Sequence, residues 1–535
     1  VTAAPLLSPP RPRWRRALAA TGRAAVPGPL VSALLLAAAF PPLDLAALAW
    51  IGLVPLLVSR PADTARAALA RGWWLGFWFF LVSLVWLVRV TAGGWIVLSA
   101  VCALYWAPFA LLVRRWILRV GVDRPAANLG QILALGLAWC GLETLRAHLF
   151  TGFGWNALGV SQHANLALIQ VADLGGVAAV SFPVILFNLG VAGFWLRRRA
   201  VGPRARPVEL APALLTLAAV LGYGVTRPVD PPPGATPFRA VLIQPNIPQY
   251  EKWTAAFVQQ TYGVLDRQTR LAAAAHPAAD LLVWPETTIP DDGSLGPAVR
   301  AWLAQLTAPG IPLLAGALVF EARGADVSWT NSALLVQPGG AFAARYDKRH
   351  RVMFGEYVPP LFKWLLPFLE KMTAIGEDVT PGHDAVVFPH PAGAFGVNIC
   401  FEDIPPWLSR DLVRAGARLL VNQTNDAWFD PLWGSRQHLA HGVFRAVENR
   451  VPVLRCANTG PSAAIDARGR VGPWLRDPAD DTFRVEGFLP TEVWLPPAGP
   501  PRSVYSRHGE VLGFSAAALA LLLLGRAAWE SRRAA

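Results

Sequence analysis

The sequence predicts a polytopic α-helical membrane protein of about eight spans that carries one α/β domain before its last span. Three observations predict it. The 535 residues are 54% hydrophobic and 16% charged, with a mean hydropathy of +0.37, whereas a soluble domain is about 25% charged. The apolar residues concentrate before Val225 and after Glu510, in runs approaching the ~20 residues that cross a bilayer. Between them the composition is mixed, and short β-type runs alternate with amphipathic stretches. A plain soluble enzyme and a disordered chain are both excluded.

The apolar runs cover residues 26–40, 43–58, 72–88, 94–112, 127–145, 177–196, 210–225 and 511–528. The first two are short and joined by Pro41-Pro42, so they read either as two spans or as one re-entrant hairpin. Arginine sets the orientation, because positive loops stay cytoplasmic. Arg11, Arg13, Arg15, Arg16 and Arg23 lie in the N-terminal tail, and further arginines cluster in residues 60–71, 114–124, 197–206 and 526–533. These are alternate loops, so both termini are expected inside. The expected division is a membrane domain over 1–227, an extracytoplasmic catalytic domain over 228–508, and a last span with a cytoplasmic tail over 509–535. The loops account for the net charge of +13, so no nucleic-acid partner is expected. The first apolar run leads into the second without a small-residue cleavage site, so no cleavable signal peptide is expected.

The Pro-rich stretch over residues 228–237 reads as a stiff linker. After it, strands are expected at 238–244, 281–284, 312–320, 332–337, 341–346, 385–388, 395–399, 419–422, 451–456 and 463–466. Pro338-Gly339-Gly340 reads as a hairpin turn. Helices fit at 253–275, 405–415 and 437–449. Mixed strand-helix order over this length predicts one α/β domain.

The chemistry is expected at strand ends. Glu286 ends the run LLVWPE, Lys348 ends ARYDK, and Cys400 ends FGVNIC. A thiol ahead of a helix start is expected to be biased toward thiolate. A carboxylate can act as its general base, and an ammonium can stabilise an oxyanion. Together they form an activated-nucleophile set for acyl transfer. Of 48 basic side chains only Lys252, Lys348, Lys363 and Lys371 are lysines, so a retained lysine marks a need that guanidinium does not meet. Cys102, Cys140, Cys400 and Cys456 have no CxxC spacing, which argues against a disulfide framework or a zinc site.

The ordered motifs WPET, YDKRHRVMFGEYVP and NICFED resemble the Glu-Lys-Cys set of the nitrilase (carbon-nitrogen hydrolase) superfamily. With the eight spans, and with IQPNIPQYEKW, FGEYVP and NQTNDAWF, the whole chain resembles the bacterial apolipoprotein N-acyltransferase family. The resemblance implies an α-β-β-α sandwich for the α/β domain. It implies ping-pong transfer of a fatty acyl chain from a membrane phospholipid to the α-amino group of the diacylglyceryl-cysteine of an apolipoprotein, through a thioester on Cys400. Glu286 would be the base and Lys348 would hold the oxyanion. Glu356, Glu402 and Trp253 match further functional positions. Phe401 departs from the family's usual tyrosine, keeping the ring and losing the hydroxyl. The resemblance implies a bacterial inner-membrane location and no cofactor.

The segment MFGEYVPPLFKWLLPFLEKM is too broken by proline and charge to span. Its Leu361, Phe362, Trp364, Leu365 and Phe368 suit either an arm resting in the membrane interface or a core helix of the sandwich. Trp428, Phe429, Leu432 and Trp433 fit a lid or a packed edge. His438 and His441 lie three apart without further ligands at metal spacing, so no metal is expected. The first rival is a membrane-anchored carbon-nitrogen hydrolase (amidase or nitrilase) that discharges its thioester to water. The second is a transporter, for which Glu143 and Arg146 are nearly the only intramembrane charges.

Overall fold

The computed structural model describes residues 28–59, 62, 64–119, 125–227, 231–248, 255–289, 295–323, 326–358, 378–429, 433–477 and 482–534. Among these, five helices are long and apolar enough to cross a membrane: Ala92–Trp116, Ala126–Thr151, Ala172–Val201, Val208–Val225 and Val511–Arg533. The helices of the bundle are α1 (Gly28–Ala38), α2 (Ala65–Ser83), α3 (Ala92–Arg119), α4 (Pro125–His148), α5 (Ala172–Val201) and α6 (Ala211–Val225).

The two earliest apolar runs form a short helical hairpin. Helix α1 has 11 residues, about 16 Å of rise against a hydrocarbon core of about 30 Å. The return segment is broken into Ala46–Trp50 and Val54–Val58. The third run is interrupted too: α2 ends at Ser83, and a 3₁₀ turn over Val85–Arg89 follows. Glu143 and Arg146, the intramembrane charges, hold the bundle's own loop. Glu143 accepts from Leu158 N and Ser181 Oγ, and Arg146 donates to the carbonyls of Phe153 and Trp155.

The α/β part contains two six-stranded sheets. The first comprises β1 (Thr236–Gln244), β2 (Leu281–Val283), β3 (Leu313–Arg323), β4 (Asp326–Val336), β5 (Phe342–Asp347) and β12 (Gly487–Leu495), in the order β12-β1-β2-β3-β4-β5. The second comprises β6 (Val387–Phe388), β7 (Phe395–Ile399), β8 (Leu419–Thr424), β9 (Val453–Ala457), β10 (Ala463–Ile465) and β11 (Val471–Trp474), in the order β11-β10-β9-β8-β7-β6. The central strands of each sheet, β1-β2-β3 and β7-β8-β9, are parallel. Such strands are covered on both faces, and β2, β7, β8 and β9 are buried throughout.

Phe238, Leu242, Tyr346, Val397, Ile399 and Leu454 fill the space between the sheets. Helices α7 (Ala255–Ala275) and α8 (Pro297–Thr307) cover the first sheet through Leu265 and Leu303. Helices α9 (Pro406–Arg414) and α10 (Trp433–Asn449) cover the second through Leu412, Val443 and Phe444. The layering is therefore α-β-β-α, as the resemblance implied. The α9/α10 layer shares one continuous core with the membrane helices, in which Phe444 and Val447 belong with Trp139 and Val184. A last helix, α11 (Val511–Ala534), returns to the bundle beside α4.

Four elements of the α/β part depart from the sequence expectation. Strand β4 begins at Asp326, six residues before the expected start at Ser332, and makes a long hairpin with β3. Strands β11 and β12 and helix α8 were not expected. The remaining expected strands and helices recur with end shifts of at most four residues.

Candidate active site

Three strand ends of the sandwich converge. Glu286 follows β2 by three residues, Lys348 directly follows β5, and Cys400 directly follows β7. Glu286 is placed by Gly316 of β3. The Gly316 carbonyl accepts from the backbone N–H groups of Thr288 and Ile289 at 2.8 and 3.0 Å. A β-carbon on Gly316 would lie 2.2 Å from the Pro285 carbonyl oxygen, so only glycine admits the Glu286 turn there. Lys348 is set in the same way: its carbonyl accepts from Gly382 N at 2.8 Å, and a β-carbon on Gly382 would meet the Asp347 carbonyl oxygen at 2.1 Å.

The Lys348 ammonium lies 2.9 Å from Glu356 Oε1 and 3.3 Å from Glu286 Oε1. Asn331 on β4 donates to the same two oxygens, at 2.8 Å to Glu286 and 3.1 Å to Glu356. Asn425 N donates to Glu286 Oε2, and Val352 N to Glu356 Oε2. Lys348 is 1% exposed and Glu286 7%. Burial opposes the lysine's charge, but Glu356, then Glu286 and Cys400, hold its ammonium well above the usual lysine range. This is the fully paired state that a buried ion requires.

Cys400 has φ +53°, a left-handed conformation that side chains rarely adopt and that recurs at functional sites. It opens a four-residue 3₁₀ turn, Cys400–Asp403, whereas α9 starts only at Pro406. The expected thiolate bias from a helix start is therefore corrected. Burial, then the Glu286 carboxylate, push the thiol well above the ordinary cysteine value, and Lys348 offsets this only in part. The surroundings of Cys400 therefore favour the neutral thiol over the thiolate.

Glu402 accepts from Ile399 N, Arg349 N, His350 N and Tyr346 Oη at 2.7–2.9 Å. It thereby fastens the residues beside Lys348 to the residue before Cys400. Burial raises its carboxyl, with the Ile399 and His350 N–H groups opposing. Phe401 stacks against His350 at 5.8 Å and against Trp155 and Phe153, both at 6.1 Å. Burial, then Lys348, lower His350 to about 4, so this ring is neutral. Trp155 and Phe153 belong to the membrane part, so the ring beside Cys400 rests on the bundle's loop.

Helix α10 fixes that contact. Gln437 Oε1 accepts from Trp86 Nε1, Trp155 Nε1 and Asn156 Nδ2, and its Nε2 donates to the carbonyls of Pro41 and Ser83. Phe429 packs on Trp86 with ring centroids 4.3 Å apart, so it rests on the bundle and not on the edge of the sandwich. His438 and His441 are buried. His438 faces Asp403 and Asp426.

The structure thus brings together Glu286, Lys348, Glu356, Cys400, Phe401 and Glu402. Trp253, Leu432 and the arm residues Leu361, Phe362, Trp364, Leu365 and Phe368 lie outside the described residues. Sequence reasoning missed Asn331. The only available signal was an amide inside the apolar strand run WTNSALLV. It also assigned no role to Asn422 or Asn425, although both lie in the quoted run NQTNDAWF.

Residues 32–190 match the family model described as apolipoprotein N-acyltransferase N-terminal domain, and residues 239–475 match that described as carbon-nitrogen hydrolase. A Geobacter metallireducens protein named apolipoprotein N-acyltransferase is 38% identical over 509 residues, covering 91% of this chain and 92% of the relative. Proteins with the same name from Caulobacter vibrioides and Sinorhizobium fredii are 32% and 34% identical. They cover 83% and 75% of this chain, and the match spans 85% and 76% of those relatives.

Proposed function

The chain belongs to the apolipoprotein N-acyltransferase family, and on that premise we propose a ping-pong route for its lipoprotein N-acylation, with a membrane phospholipid as donor and Cys400 as carrier. The observation that supports this most is the convergence of the half-buried Cys400, the buried Glu286 and the carboxylate-paired Lys348 at three strand ends.

Glu286 takes the Sγ proton as the sulfur attacks the phospholipid ester carbonyl. The Lys348 ammonium stabilises the tetrahedral oxyanion. Collapse breaks the ester C–O bond, and Glu286 returns the proton to the leaving alkoxide. A lysophospholipid departs and a thioester remains on Cys400. The α-amino group of the diacylglyceryl-cysteine then attacks the thioester and gives its proton to Glu286. An amide forms, and the departing thiolate recovers the proton. Glu356 keeps Lys348 charged and in place throughout, and Glu402 holds the backbone that carries both Lys348 and Cys400.

The arginine-rich alternate loops support a catalytic domain over 228–508 facing away from the cytoplasm, between a membrane domain over 1–227 and a last span and tail over 509–535. The apolar segment around Trp364 and Phe368 suits an arm in the interface, and Trp253 is kept as a supporting or substrate-binding position on the strength of the resemblance. The test is incubation with phospholipid labelled in its acyl chain and a diacylglyceryl-cysteine peptide. The proposal expects label on the peptide α-amino group as a hydroxylamine-resistant amide. Label released only as free fatty acid would indicate discharge to water, as in a membrane-anchored hydrolase.

A further inference from the structure

We infer that His438 is a positioning residue for the nucleophile: its Nε2–H holds the Cys400 carbonyl and the Asp403 carboxylate together and so fixes the left-handed turn that presents the thiol. The inference rests on Cys400 being the nucleophile.

The geometry is specific. His438 Nε2 lies 2.7 Å from Asp403 Oδ1 and 3.2 Å from the Cys400 carbonyl oxygen. Asn422 Nδ2 reaches that same carbonyl at 3.0 Å. These contacts bracket the Cys400–Asp403 turn from its first residue to its last. A non-glycine residue at φ +53° persists only when its surroundings over-determine it, and these two donors provide that constraint.

The role does not depend on the charge of the ring. Nδ1 lies 3.2 Å from Asp426 Oδ1 and 3.0 Å from Arg455 Nη2. The cation donates from Nδ1 to Asp426, whereas the neutral ring accepts there from Arg455. In both states the hydrogen stays on Nε2. The charged groups facing the ring are Asp403, Asp426 and Arg455, and Arg455 also bonds Asp426 Oδ2 and Asn422 Oδ1. Histidine at 438 therefore ties the nucleophile turn to the turn after β8, to β9 and to α10 at once. Its neighbour Gln437 locks α10 onto four segments of the bundle, so the nucleophile's position is referred to the membrane part.

The test compares His438→Gln with His438→Asn in the full-length protein. The Gln amide nitrogen reaches the Nε2 position, whereas the Asn amide nitrogen falls near Nδ1. A misplacement of about 1 Å at a reacting group costs roughly 100-fold in rate. We expect His438→Gln to form the Cys400 thioester within about three-fold of the parent, and His438→Asn to fall by about 100-fold with the KM for phospholipid unchanged. Alkylation of Cys400 by iodoacetamide should fall in parallel for Asn and not for Gln. Thermal unfolding midpoints identify a variant that has merely lost its fold. Equal rates in the two variants, or losses that track the unfolding midpoint, would overturn the inference. A parent that forms no thioester but loses Cys400 alkylation only in His438→Asn would keep the positioning role and reject the nucleophile's role in acyl transfer.

Discussion

The Lys348 ammonium lies 2.9 Å from Glu356 Oε1. One carboxylate therefore stays on the lysine whether or not Glu286 carries a proton. A site whose only counter-charge was its general base would leave a buried cation unpaired at the moment of proton transfer, a state that is strongly unfavourable. The second acid removes that difficulty and, in the proposed route, leaves Glu286 free to shuttle.

Lys348→Arg should leave the protein folded and membrane-inserted and lower single-turnover acylation of Cys400 by on the order of 10²–10³. The planar, larger guanidinium does not fit the compact gap between Glu286, Glu356 and Asn331. Acylation within a few-fold of the parent would make Lys348 a structural cation.

Glu356→Gln retains an acceptor for Val352 N and removes the charge. Burial lowers the lysine's value and Glu356 is the first group that raises it. Without Glu356 the ammonium is lost at a lower pH. The alkaline limb of the acylation rate should move to lower pH, and the plateau rate should fall by roughly 10²-fold. A pH profile with an unmoved alkaline limb would contradict this pairing.

Gly316→Ala places a β-carbon against the Pro285 carbonyl oxygen and must displace Glu286. First-turnover acylation should drop by about 100-fold or more. Gly263→Ala, where a β-carbon meets open space on α7, should keep full activity and gain up to about 1 kcal/mol in stability. Equal activity of the two variants would remove Gly316 from the account.

Iodoacetamide should modify Cys400 more slowly at pH 7 than it modifies a free cysteine. Burial and Glu286 raise the thiol, so the thiolate fraction is lower at every pH below that raised value. The rate should keep climbing past pH 9. A plateau near neutrality would mean a preformed thiolate and a different task for Glu286.

Cysteines introduced near Pro233 should label with a membrane-impermeant reagent in intact cells, and cysteines near Arg204 should not. The reverse pattern would invert the proposed orientation.

The candidate reactive groups were legible because each closes an apolar run: Glu286 after LLVWP, Lys348 after a β-type stretch, Cys400 after FGVNI. What was not legible depended on contacts distant in sequence. His438 acquires its partners from residues 400, 403, 426 and 455, which no local pattern links. Strand β12 carries Pro490, and only Val493 and Leu495 of its nine residues are buried. As an edge strand it pairs only with β1, so it lacks the apolar signature of the central strands. Helix α8 starts at Pro297 after Gly296 with no side-chain cap; its proline in the first turn is a start signal that the sequence reading passed over. The thiolate expectation failed for a physical reason: a four-residue turn has little dipole, and burial outweighed it.

The most direct test of the account is intact-mass analysis of the purified protein after incubation with a single defined phospholipid and no acceptor. The account predicts one acyl chain on Cys400, removed by neutral hydroxylamine, absent in Cys400→Ser, and discharged when a diacylglyceryl-cysteine peptide is added. An unmodified Cys400 alongside full acyl transfer to the peptide would contradict it.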